Sequence, residues 1–126
     1  MQIVTSVSLV LTALIHLLPV VGVLGGPRLQ RLYGVDVSEP NVAVMLRHRA
    51  VLFGLLGAGL LVAAGRPALH GAGLAAGLVS VGSFLALARA EGRLNPQLAR
   101  VVAVDWAALA LLLVGGAAWL AAGATA

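Results

Sequence analysis

Leu46-Arg47-His48-Arg49-Ala50-Val51-Leu52-Phe53-Gly54-Leu55-Leu56-Gly57 opens on a charged triplet and runs straight into apolar residues. No turn signal separates the two halves, so the charges belong to the start of a long apolar helix. Charged side chains entering a membrane helix must reach the headgroups or find partners, which makes them candidates for function. The rest of the chain agrees with a membrane setting. Of its 126 residues 61% are hydrophobic and 10% charged, and the mean hydropathy is +1.07. Soluble domains carry about 25% charged residues. The pattern therefore predicts an all-α integral membrane protein.

Four apolar stretches are long enough to span, at about 2–24, 39–64, 68–88 and 96–121, and together they predict a single four-helix bundle. In the first, Thr5, Ser8, Thr12 and His16 recur every three or four positions and form one polar stripe facing protein. Pro19 cannot donate to the Ile15 carbonyl, so a kink is expected beside His16. After Gly25-Gly26-Pro27, the stretch Arg28–Tyr33 sets Leu29, Leu32 and Tyr33 against Arg28 and Arg31. That pattern predicts a short interfacial helix with Tyr33 as its aromatic anchor. Ser38-Glu39-Pro40-Asn41 carries helix-start chemistry, with Ser38 offering a capping hydroxyl.

In the second span Arg47 shares a stripe with Ala50, Gly54, Gly57 and Ala58, which points it inward, while Arg49 lies on the other side as a snorkelling residue. Gly65-Arg66-Pro67 makes a tight turn. Gly71-Ala72-Gly73-Leu74-Ala75-Ala76-Gly77 lacks the strand that a dinucleotide loop requires, so Gly73 and Gly77 form a packing pair. Asn95-Pro96 caps the last span, and Asp105 lies inside it on the side of Ala108, Leu112 and Gly115.

Several function classes fall away. The formal charge is +4 and the sequence pI near 11.5, but the basic residues flank apolar spans instead of sharing a polar face, which argues against nucleic acid. All eight basic residues are arginine and there is no cysteine, so no Schiff-base lysine, thiolate metal site or dithiol relay exists. No complete catalytic constellation and no metal-binding histidine pair at i, i+4 is present, and His70 is expected on the opposite side from His16 and His48, which argues against haem.

Ile15-His16-Leu17-Leu18-Pro19, Leu32-Tyr33-Gly34-Val35, the block Arg47–Gly54 and Asp105 resemble small four-helix bacterial membrane proteins of the DoxX-like group. The resemblance covers nearly the whole chain, and the arginine-histidine-arginine block is its most specific part. Members often carry the label phosphopantetheine adenylyltransferase. That enzyme is a soluble α/β nucleotidyltransferase with a T/H-x-G-H motif, which this chain lacks, so adenylyltransferase activity is not supported. The resemblance implies the four-helix fold, and for the wider group an association with quinone-linked oxidation.

The sequence therefore predicts a binding or accessory membrane component, alone, as a homo-oligomer or with a membrane partner. Its alternative is a quinone-binding or oxidoreductase-associated subunit. His16, Arg47, His48 and Asp105 are the candidate ligand residues for a quinone or lipid, with an ion pair expected between Arg47 and Asp105. Counting about 1.5 Å per residue sets His16 roughly 12 Å into the membrane, near the depth of Asp105. Arg28, Arg31, Arg47, Arg49, Arg89, Arg93 and Arg100 fall toward one side of the membrane and Arg66 alone toward the other. The positive-inside bias then puts the arginine-rich end in the cytoplasm of a cell (inner) membrane and both termini outside. In whole cells, a membrane-impermeant thiol reagent is expected to label a cysteine placed at Ala90 poorly. The opposite pattern, with Ala68→Cys protected and Ala90→Cys labelled, reverses the topology.

Overall fold

The computed structural model describes residues 1–124 and is built from helices alone among those residues. Helix α1 (Gln2–Leu17) passes into a 3-10 segment, Leu18–Leu24, and the two make one continuous apolar span. A short helix α2 (Gly26–Tyr33) follows, then α3 (Pro40–Ala64), a 3-10 turn at Pro67–Leu69, α4 (His70–Glu91) and α5 (Pro96–Ala124). Four segments are long and apolar enough to cross a membrane: Gln2–Leu24, Pro40–Ala64, Pro67–Glu91 and Pro96–Ala124. The chain is thus a small multi-span membrane protein, with α2 as the short helix between its first two spans.

Pro19 acts as expected in kind but not in form. Because it lacks an N–H, α1 stops at Leu17, and the span continues with the tighter 3-10 geometry in place of a simple kink. The end of that segment leaves Val23 O to be satisfied from outside, and Arg47 Nε donates to it at 2.9 Å. The start of α3 also differs from the expected cap. Glu39, not Ser38, is the capping residue, and its carboxylate accepts from Asn41 N at 3.0 Å and Val42 N at 2.9 Å. Those two bonds favour the ionised form and hold the Glu39 carboxyl below its ordinary range. Asn95 caps α5 as the sequence suggests, accepting from Leu98 N at 2.8 Å.

Around the bundle, α1 packs mainly on α3 and α5, and α4 closes the ring against α5 and α3. Helices α1 and α4 therefore stand diagonally and run parallel. Two histidine–hydroxyl contacts tie them across the centre, Ser6 Oγ with His70 Nε2 at 3.2 Å and His16 Nε2 with Ser80 Oγ at 3.0 Å. The polar stripe of α1 does face protein: Thr5 and Thr12 are 0% exposed, His16 3% and Ser8 4%. Thr12 Oγ1 donates to Ser8 O within its own helix, whereas Thr5 Oγ1 reaches Gly115 O on α5. The core around them is Leu9, Leu60, Leu74, Val81 and Leu112, and large apolar side chains such as Ile3, Leu55, Val79 and Leu120 face outward. Outward-facing aliphatic surface is what a lipid environment allows.

Small residues set how closely the helices approach. A Cβ on Gly73 would stand 2.7 Å from Ala63 Cβ, and one on Gly77 would stand 2.8 Å from Leu112 Cδ2. The Gly73/Gly77 pair is a packing face, as its spacing predicts. Gly82, on the same helix, has open space beside it. Gly73→Ala is therefore expected to destabilise the protein by about 1–3 kcal/mol through overpacking. Gly82→Ala should be neutral or stabilising by up to about 1 kcal/mol. Thermal unfolding of the two variants in mild detergent checks the contrast, and equal behaviour would contradict the packing.

Candidate functional site

The cluster with unmet chemistry is centred on Arg49, the arginine that the sequence reading left to snorkel. Its guanidinium carbon lies 4.6 Å from the ring centre of Phe53, 5.4 Å from Phe84 and 5.5 Å from Tyr33. The chain has two phenylalanines and one tyrosine, so each of them sits on this one cation. Arg49 is half-buried, and its Nε is sealed from solvent without a hydrogen-bond partner. The hydroxyl of Tyr33 is likewise buried and without a partner, in a residue only 4% exposed. Buried donors without acceptors are costly, and ring faces replace only part of a guanidinium's hydration.

Local sequence explains how each ring arrives. Phe53 follows Arg49 by one helical turn on α3, which puts the two on one face. Phe84 comes from α4, where Ser80, Ser83, Phe84 and Leu87 repeat the spacing of Arg49, Leu52, Phe53 and Leu56 on α3. These two matched faces line a lipid-side cleft of about 260 Å³ between α3 and α4. Tyr33 comes from α2 and is held from behind. Asn95 Nδ2 donates to Tyr33 O at 2.8 Å and to Gly34 O at 3.2 Å. Gly34 adopts φ of 63°, and a Cβ there would meet Gln97 Oε1 at 2.6 Å, so the chain needs glycine where α2 turns away. Tyr33 is consequently a buried member of the cluster and not the interfacial anchor its position suggested.

His16 stands next to this cluster, with its ring 5.5 Å from that of Phe53. Its Nδ1 lies 2.9 Å from Thr12 O, and a carbonyl can only accept, so Nδ1 carries a proton. In the neutral ring Nε2 then accepts from the Ser80 hydroxyl, which lines the cleft. His16 thus fixes the direction of a cleft hydroxyl without lining the cleft itself.

The other residues expected at the site are spread out. Arg47 and His48 are exposed and share a groove with Val23 and Val44 on the outer face of α3. Asp105 is half-buried and lines a different groove, between the first span, α2 and α5. The Arg47–Asp105 ion pair is not formed: Arg47 is engaged with Val23 O, and Asp105 lines the groove beside α5. The two arginines stand two positions apart, about 200° around the helix axis. The small residues that share a stripe with Arg47 bring the first span close enough for its Val23 carbonyl to take the guanidinium. The i, i+4 pair Arg49–Phe53 was the signal available for the cluster.

No family model, no curated protein and no solved structure matches the chain. What stands is a four-helix protein with four candidate membrane spans and no family assignment.

If the rings hold the Arg49 charge, Arg49→Gln and Phe53→Leu are expected to couple by about 0.5–2 kcal/mol in a double-mutant cycle. Thermal or denaturant unfolding in detergent measures it. Additive losses would mean that ring and cation do not interact.

Proposed function

We propose that the protein is a membrane binding component that takes a polar-headed apolar molecule from the bilayer into the cleft between α3 and α4, and that a quinone suits the cleft best. The observation that carries this reading is Arg49, which lines the cleft while its Nε is left without an acceptor; the Tyr33 ring, whose hydroxyl also lacks a partner, packs on the same guanidinium without lining the cleft. A quinone head offers two carbonyl acceptors and no donor, which complements a guanidinium that can only donate. The rings of Phe53 and Phe84 border the space and suit a flat head, since aromatic rings favour stacked or edge-on neighbours. Leu52, Leu56 and Leu87 supply apolar wall for a tail that continues into lipid. His16 contributes through Ser80, whereas Arg47 and His48 lie outside this cleft.

The motif resemblance to DoxX-like proteins, with quinone-linked oxidation in the wider group, points the same way. In the membrane, the positive-inside bias would put the arginine-rich end, and with it Arg49 and Tyr33, at the cytoplasmic leaflet. A lipid ester carbonyl in the same cleft is the second reading, because it too accepts without donating.

A short-chain benzoquinone added to the protein in mild detergent is expected to raise its melting temperature. Saturation at 100 times Kd corresponds to about 2.7 kcal/mol of stabilisation. Arg49→Gln should abolish the shift, and the quinol, which brings its own donors, should bind less tightly than the quinone. Absence of any shift, together with no quinone in an organic extract of the protein, would overturn the quinone assignment. A stoichiometric lipid in that extract would move the cleft to the second reading.

A further inference from the structure

A second groove, on the opposite flank of the bundle, has different chemistry. It measures about 280 Å³ and lies between the first span, α2 and α5. Arg31 of α2 and Arg100 of α5 both line it, and both are exposed. Gln97 stands beside them at the start of α5, while Ile15, Leu18 and Val104 form apolar walls. Helix α5 begins at Pro96, so Arg100 lies within about 6 Å of its first residue at 1.5 Å per residue. The cations are therefore at headgroup level and the apolar walls continue toward the middle of the bilayer. Asp105 lines the same groove about 7.5 Å further along α5 than Arg100.

We infer that this groove is a binding site for an anionic phospholipid, with the phosphate diester held between Arg31 and Arg100 and an acyl chain laid along Ile15, Leu18 and Val104. Guanidinium groups bind phosphate oxygens through paired, charge-assisted hydrogen bonds, and here two come from different helices to one mouth. The same end of the protein also carries Arg28 and Arg93, both exposed. Their charge repels the ammonium of a zwitterionic headgroup and favours a lipid of net negative charge. Because Arg31 and Leu32 belong to α2, a bound lipid would also clamp the helix that presents Tyr33 to Arg49. The inference stands apart from the α3–α4 cleft, since none of the residues lining one groove lines the other.

The test is native mass spectrometry of the purified full chain with short-chain phosphatidylglycerol, phosphatidylcholine or inorganic phosphate. Phosphatidylglycerol is expected to bind as one preferred adduct. Arg31→Gln/Arg100→Gln should weaken it by about tenfold, the scale of a lost charge-assisted hydrogen bond. Arg28→Gln/Arg93→Gln removes the same charge outside the groove and should keep most of the affinity, as should Arg49→Gln. The melting temperature with and without phosphatidylglycerol provides a second reading on the wild-type chain, which needs no variant to fold. Equal binding of phosphatidylcholine overturns the proposal, as does an equal loss in both arginine pairs. A phosphate effect as large as that of the lipid also overturns it, because the apolar walls would then contribute nothing.

Discussion

One guanidinium in an apolar bundle sets most of what is unusual in this structure. Arg49 is half-buried, its Nε has no acceptor, and three rings from three helices stand on it. A charge in hydrocarbon is expensive, and the quadrupole of ring faces is a modest replacement for water. The geometry of α2 follows from this demand. Tyr33 has to come over the end of α3, and it does so because a glycine in the left-handed conformation and an asparagine from α5 hold the end of α2 in place. The residual demand, two buried donors, is where a ligand acceptor would gain most.

The remainder of the bundle is held by less costly means. Lipid gives helices no hydrophobic reason to associate, so close approach and internal hydrogen bonds carry more of the packing. Gly57, Gly73, Gly77 and Gly115 each face a neighbouring side chain that would collide with a Cβ. The hydroxyls of α1 are satisfied partly within their own helix and partly on α3 and α5, and two histidine–serine contacts pin the diagonal pair α1 and α4. His16 does both kinds of work, because its ring is held by Thr12 O while it orients the Ser80 hydroxyl at the cleft.

Helix α2 is shared between two chemically different surfaces. Its Tyr33 belongs to the donor-rich aromatic cluster, and its Arg31 and Leu32 border the groove beside α5. The glycines at its two ends, Gly25 and Gly34, both have positive φ, so the helix is set between two turns that L side chains rarely adopt. A ligand on either surface would act on the same short helix.

Composition and periodicity determined the membrane setting, the number of spans, the short helix after the first span, the inward stripe Thr5–Ser8–Thr12–His16 and the Gly73/Gly77 packing face. These are properties of one helix at a time: which residues are apolar, which share a face, and which are small. The partner of each polar group was a different matter. Two arginines separated by one residue had opposite fates, Arg47 taken by the Val23 carbonyl and Arg49 enclosed by rings from α2, α3 and α4. Tyr33 likewise moved from the interface into the cluster, and Glu39 replaced Ser38 as the cap. Within a single helix only the Arg49–Phe53 spacing hints at these outcomes, because a long side chain is settled mainly by the nearest unsatisfied group on another helix. Only the tertiary structure decides which group that is.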